Sequence, residues 1–218
     1  LNPRLVDCAL SGFGATGPRA GRAGHDLGYL AASGLLAATG TARRPVMVYP
    51  PLADHAGAML ALNAILAALL ARGRDGRGRR LDVALSEAAL SWMGGVLTAT
   101  HRWGPAARES GPIDGGAACY RVYRAACGRF LSLAALEPRF WAAFCTAVGR
   151  PDWIARHDEP TPQTALVAEL EALFATRPLR EWAALLEPLD CTFEPVAEPA
   201  ELLDHPQHRA RGALCLAE

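Results

Sequence analysis

Three ionisable residues stand where apolar segments begin or end: His25, Asp54 and Glu137. His25 lies in "RAGHDLGYLAASG" directly after Gly24, where the missing side chain lets a ligand approach the backbone beside the imidazole. Asp54, in "PPLADHAGAML", takes the N-cap position of a long apolar helix. A carboxylate there sits in the positive end of the helix dipole, which favours its ionised form, among unpaired N–H groups. Glu137 falls between "LAAL" and Pro138, the first position of another helix. Each residue also has a structural role that suffices by itself. A histidine is easily satisfied at a helix start, and a capping carboxylate is worth about 1 kcal/mol to its helix. Residue type and position nominate these three without deciding between the roles.

Other patterns carry less chemistry. "GFGATG" is not followed by a helix in the dinucleotide-binding manner and lacks the GxGxxG context. Ser11 and Ser33 have no strand–turn–helix nucleophile elbow around them. His205 and His208 are spaced to share a helix face, but no third metal ligand accompanies them, so no metal site is expected. The run Arg72–Arg80 reads as a solvated turn that an anion such as a nucleotide phosphate can also use.

The elements that position these residues follow from periodicity and punctuation. Residues 4–10 alternate and end at "SGFGATGP", a strand and turn. Leu27, Leu30, Leu35 and Leu36 predict a helix over 26–39, stopped by Gly40. A short strand is expected at 46–49, then the helix of Asp54 to about residue 71, a strand at 81–85 and a helix at 87–101. Beyond a Gly- and Pro-rich stretch, "CYRVYRAACGRFLSLAAL" reads as a hairpin turning at Ala126-Cys127-Gly128. Helices are expected from Pro138 to about 148, at 164–176 and at 178–186, with a helical turn in the tail after Glu198. The reading is α/β in the first half and α+β in the second. As domains, this gives 1–103, a linker over 104–116, a small domain over 117–200 and a return linker over 201–218.

Composition bounds the rest. The chain has 218 residues, 51% hydrophobic and 20% charged, enough for one large or two modest domains with a real core. Its 22 basic residues, all Arg, balance 22 acidic ones, which gives no electrostatic case for nucleic acid or a membrane surface. The longest apolar run, around 56–71, is rich in Ala, interrupted by Asn63 and short for a membrane span. Cys8, Cys119, Cys127, Cys145, Cys191 and Cys215 lack metal spacing and read as reduced thiols. No charged-then-apolar leader is visible, so the cytoplasm is the expected compartment. The chain opens on Leu1 and enters a strand at once, which is the expectation for a piece of a longer protein.

Taken together, "NPRLVDCALSGFGATGP", "AGHDLGYLAASGLL", "LADHAGAMLALNAILAAL", "GRGRRLDVALSEAAL" and "DGGAACYRVYRAACGRFLSLAALEPRFW" resemble successive segments of the family III (CaiB/BaiF) CoA-transferases, which include the α-methylacyl-CoA racemases. The resemblance is nearest to the racemase branch, because many transferases carry Tyr where His25 stands. It implies part of a Rossmann-like large domain plus a smaller α+β domain, further residues on both sides of this chain, and an interlocked homodimer. Its catalytic histidine and aspartate fall on His25 and Asp54, and the glutamate that orients the histidine falls on Glu137. Its substrate- and CoA-binding segment falls on Gly24, Asp26 and Tyr29. The substrate implied is an acyl-CoA thioester, with coenzyme A as part of the substrate and no separate cofactor.

The implied chemistry suits these groups. A thioester carbonyl acidifies its α-C–H, and inverting that carbon needs one base on each face, here His25 and Asp54. N–H groups at the start of the Asp54 helix are expected to stabilise the enolate oxygen. In a CoA-transferase, the alternative, Asp54 attacks the thioester as a nucleophile and no histidine is required. A third reading is a truncated, non-catalytic remnant.

Overall fold

The computed structural model describes residues 2–214. Cys215, counted above among the reduced thiols, lies outside the described residues; the other five cysteines are free. The chain forms two compact units, Leu1–Glu109 and Ser110–Glu218.

In the first unit, β1 (Val6–Ser11) pairs in parallel with β2 (Arg79–Ala84), in register from Val6↔Arg79 to Ser11↔Ala84. Parallel strands need a crossover, and here three helices supply it: α1 (Asp26–Ala32), α2 (Leu35–Ala38) and α3 (Leu52–Asp75). α3 turns Ala53, Ala56, Gly57, Ala61 and Ala68 inward, and this small-residue face lets it lie close to the strands and to α4 (Leu85–Ser91). A side-chain carbon at Gly57 would run into Leu85. Leu62, Leu66 and Leu70 on other faces of α3 are exposed, and α3 is long and apolar enough to cross a membrane by length and composition. α3 ends at Gly76, whose left-handed backbone (φ 73°) closes the helix as a C-terminal glycine does.

Three expectations need correction in this unit. The single helix over 26–39 is two helices, because Gly34 turns left-handed (φ 80°) between them. Ser33 favours the break: its hydroxyl donates to the Leu30 carbonyl (3.0 Å) and accepts from the Leu35 N–H (3.4 Å). The segment 46–49 forms no strand, since among the described residues no backbone pairs with it in a sheet and prolines at 45, 50 and 51 remove donors around it. The helix over 87–101 is likewise divided, into α4 and α5 (Gly94–Trp103), at Trp92-Met93, just before the Gly94-Gly95 pair that opens α5.

The second unit is a three-stranded antiparallel sheet, ordered β3 (Tyr120–Arg124), β4 (Phe130–Ala134), β5 (Phe193–Pro195), packed with helices. The hairpin appears where expected, with Gly128 left-handed (φ 85°) in its turn. β5 was not anticipated, because three residues ending in proline carry no readable alternation. α6 (Pro138–Ala147), α7 (Thr164–Phe174) and α8 (Leu179–Leu186) enclose an aromatic core, and α9 (Pro206–Arg211) follows in the tail. Phe174 stacks on Phe144 with centroids 5.8 Å apart and meets Trp182 edge-on at 5.1 Å. The polar tips buried with these rings are paired, as such tips must be in an apolar core. Trp141 Nε1 donates to the Trp153 carbonyl (2.9 Å), Trp182 Nε1 to that of Phe174 (3.0 Å) and the Tyr123 hydroxyl to that of Ala118 (2.7 Å).

One side of this unit is held by Glu169, whose carboxylate accepts from Arg156 (2.7 Å), Trp153 (2.9 Å) and Arg150 (3.0 Å). Arg156 first, then the Trp153 N–H, hold its pKa down at about 2, against 4.5 for a free glutamate. A carboxyl whose pKa is depressed on folding contributes stability above its unfolded value and loses it as pH falls through the folded one. The urea midpoint is therefore expected to fall between about pH 4.5 and pH 2, and to fall less in Glu169→Gln. Equal slopes in the two proteins over that range would show that this carboxylate contributes nothing.

Candidate active site

The geometry starts at the turn that ends β1. The Ser11 hydroxyl accepts the Gly14 N–H (3.1 Å), the Asp82 carboxylate accepts the Ala15 N–H (3.0 and 3.2 Å), and the Gly12 carbonyl accepts the Ser86 N–H (3.0 Å). These bonds fix "SGFGA" from β1, β2 and the start of α4 at once. Phe13, carried on the turn, meets the Tyr29 ring edge-on, with centroids 5.2 Å apart and planes at 81°. Tyr29 is buried, and its ring fills the space left by two glycines, Gly12 and Gly24.

That packing holds the residue before His25. His25 is the N-cap of α1, with extended backbone (φ −135°, ψ 170°), and its carbonyl accepts from Gly28 (2.8 Å) and Tyr29 (3.2 Å). Its imidazole makes no capping bond and is exposed. The next residue, Asp26, reaches across to the other helix: its Oδ1 accepts the Ala53 N–H at 2.6 Å and the Asp54 N–H at 3.1 Å. Asp54, the third residue of α3, is exposed. With Asp26 bonded to the Asp54 amide, covalent geometry keeps the α-carbons of residues 25 and 54 within roughly 12 Å of each other.

The structure thus brings together Gly24, His25, Asp26, Tyr29 and Asp54, in two layers. Gly24, His25 and Asp54 are exposed, Asp26 is half-buried between the helix starts, and Tyr29 is buried behind them. Glu137 belongs to the second unit, where it is the exposed N-cap of α6 and its carbonyl accepts from Phe140 (3.0 Å) and Trp141 (3.2 Å).

Two expectations are corrected here. Asp54 is not the N-cap of its helix: Pro51 holds that position, Asp54 lies in the first turn, and the cap comes from Asp26. The helix-start N–H groups of Ala53 and Asp54, expected to stabilise an enolate oxygen, are spent on that same carboxylate. Ser11, Asp82 and Ser86 were not singled out for their part in fixing the turn. The available signal was Asp82, a carboxylate inside a strand, where an unpartnered charge is unusual.

Beside Asp54, a cleft of about 250 Å³ lies between α3 and α4, lined mainly by His55, Met59, Leu60, Asn63 and Trp92. The Arg72–Arg80 run is at the far end of α3, about 27 Å along the helix axis from Asp54, where Arg79 pairs with Asp75 at 2.5 Å. The second unit has a cavity of about 570 Å³, lined in part by Cys127, Arg129, Arg180, Glu194 and His205, to which none of the six candidate residues contributes. The rings of His205 and His208 lie 4.6 Å apart; among the described residues, no three His, Cys, Asp or Glu side chains group to hold a metal.

The family model of CoA-transferase family III matches residues 1–216. The chain belongs to this family. The human α-methylacyl-CoA racemase is 32% identical over 228 residues, covering 100% of this chain and 58% of the racemase. An acyl-CoA transferase of Fusarium pseudograminearum is 34% identical over 218 residues, 97% of this chain and 48% of the relative. The acetyl-CoA:oxalate CoA-transferase of Acetobacter aceti is 29% identical, covering 98% and 57%. A crystal structure of a CaiB/BaiF family protein from Brucella suis superposes with a TM-score of 0.81 at 26% identity, over 97% of this chain and 57% of that one. The mixed α/β fold is therefore that of family III, and the chain spans about half the length of the curated relatives it matches.

The packing around Gly24 generates a test that is independent of activity. A β-carbon at this position would lie 2.7 Å from Tyr29 Cε1 and 3.3 Å from Phe13 Cε2. Gly24→Ala is expected to cost about 1–3 kcal/mol through overpacking, read as a lowered urea midpoint. An unchanged midpoint would mean that the Tyr29 ring is not wedged there.

Proposed function

We propose that the chain is part of an acyl-CoA thioester enzyme that inverts the α-carbon of a 2-methylacyl-CoA, with His25 and Asp54 as the opposed proton-moving pair. The observation that carries this reading is the junction of two helix starts. An exposed imidazole at the N-cap of one and an exposed carboxylate in the first turn of the other are held near each other because Asp26, next to His25, accepts the Asp54 N–H. In one direction, the neutral imidazole takes the α-proton while a protonated Asp54 delivers one to the opposite face; the reverse reaction exchanges the roles. Electrons from the broken C–H bond pass into the thioester carbonyl as the enolate forms. They return to the carbon when the second proton arrives. Coenzyme A enters as part of the substrate, and proton transfer of this kind needs no further cofactor. The apolar side of the cleft formed by Met59, Leu60 and Trp92, beside Asp54, suits an acyl group. Glu137 is assigned as the carboxylate that fixes the imidazole tautomer on the family resemblance alone.

A second reading, CoA transfer with Asp54 as nucleophile, is favoured by the transferases among the relatives, including the acetyl-CoA:oxalate enzyme. The two readings differ at His25. In deuterium oxide with a 2-methylacyl-CoA, the racemase reading expects His25→Ala and Asp54→Asn each to slow α-proton exchange about 10²–10⁴-fold, the usual contribution of a positioned acid or base. If His25→Ala exchanges at the wild-type rate, or hydroxylamine traps an acyl group on Asp54, the transferase reading replaces it.

A further inference from the structure

The structure assigns Asp26 a positioning role: its carboxylate clamps the first turn of α3 to the first turn of α1 and so sets His25 against Asp54. This rests on the reading of His25 and Asp54 as the proton-moving pair. It departs from the role implied by family resemblance, in which residue 26 belongs to the segment that binds substrate.

The first N–H groups of a helix have no carbonyl within the helix to pair with. In α3 the first intrahelical bond is that of His55 to the Pro51 carbonyl (3.2 Å), so the amides of Ala53 and Asp54 depend on an outside acceptor. No side chain of the α3 cap provides one. Asp26, 27 and 28 residues away in sequence, provides it with a single oxygen, at 2.6 and 3.1 Å. A charged acceptor makes shorter and stronger bonds than a neutral one, and a helix N-terminus is where negative charge is favoured.

The clamp is effective because both of its ends are otherwise fixed. On one side, Tyr29 and Leu30 of α1 are buried, and Tyr29 is seated against Gly12, Phe13 and Gly24. On the other, Ala53 is wholly buried and Gly57 lies against Leu85 of α4. Neither helix start can shift to make up for a lost bond without disturbing this packing. Both oxygen–amide bonds involve residues at or next to the candidate pair, so a change in the clamp is felt first in the separation of His25 from Asp54. With its Oδ1 occupied by two backbone donors, Asp26 is half-buried between the helices.

Two measurements on Asp26→Ala and Asp26→Asn test the assignment. By nuclear magnetic resonance, protection of the Ala53 and Asp54 amides from hydrogen exchange reports the clamp directly, because nothing within α3 protects them. Their exchange is expected to be at least about tenfold faster in Asp26→Ala and close to wild type in Asp26→Asn, whose amide oxygen can accept the same bonds. In α-proton exchange with a 2-methylacyl-CoA, Asp26→Ala is expected to lose at least about tenfold in kcat with KM within about twofold, and Asp26→Asn to recover most of the loss. That is the pattern of an interaction made in the transition state, whereas removal of uniform substrate binding raises KM. Unchanged amide exchange in Asp26→Ala overturns the clamp. A raised KM at constant kcat in both variants overturns the positioning role in favour of a substrate contact. If the wild-type protein exchanges no α-proton, the reading of the pair fails separately, and amide exchange alone decides whether the clamp exists.

Discussion

A single carboxylate oxygen, Oδ1 of Asp26, accepts two backbone N–H groups at the start of α3. Helix starts are polar and must find acceptors, and a start left unsatisfied beside an apolar core costs free energy for each orphaned amide. Most helices meet this need with a side chain of their own N-cap; α3 has Pro51 there and meets it with a residue from another helix. The local requirement of one helix thereby becomes a long-range constraint on two, and it falls beside His25 and Asp54, the pair proposed to move protons.

The remainder of the first unit makes that constraint rigid by modest means. Its buried cluster is small, centred on Tyr29, Leu30, Leu35, Ala53, Ala89 and Met93. Close approach compensates for bulk: glycines at 12, 24 and 57 let an aromatic ring or a neighbouring helix occupy space that a side chain would fill. The Gly-Phe-Gly turn is tied by Ser11, Asp82 and Ser86, so it holds Phe13 against Tyr29 without depending on a large core. The second unit is built differently, around stacked aromatic rings whose polar tips are paired with carbonyls.

How far these features were legible in the sequence depended on the range over which they act. His25, Asp54 and Glu137 were conspicuous because each interrupts an apolar pattern within a few residues, and the hairpin around Gly128 announced itself through its turn. The helix break at Gly34 was hidden, since the Leu spacing continues across it and only backbone conformation reveals that Gly34 is left-handed. The strand expected at 46–49 failed for the complementary reason: its composition suits a strand, but a strand exists only with a partner, and none among the described residues pairs with it. The cap from Asp26 was the least accessible of all. Its acceptor and donors are separated by 27 and 28 residues, and Asp54 itself looked like the cap, being the first acidic residue in α3. The family resemblance supplied the candidate pair; only the coordinates showed what joins them.

The assignment of His25 and Asp54 as an opposed pair is tested most directly by a crystal structure of the protein with a 2-methylacyl-CoA, or a stable mimic of its enolate, bound. It expects the α-carbon to lie between the His25 imidazole and the Asp54 carboxylate, one on each face and each at about 3–3.5 Å, the reach of proton transfer. A bound thioester with both groups on one face of that carbon, or with Asp54 joined to the acyl carbon and the imidazole turned away, would contradict it.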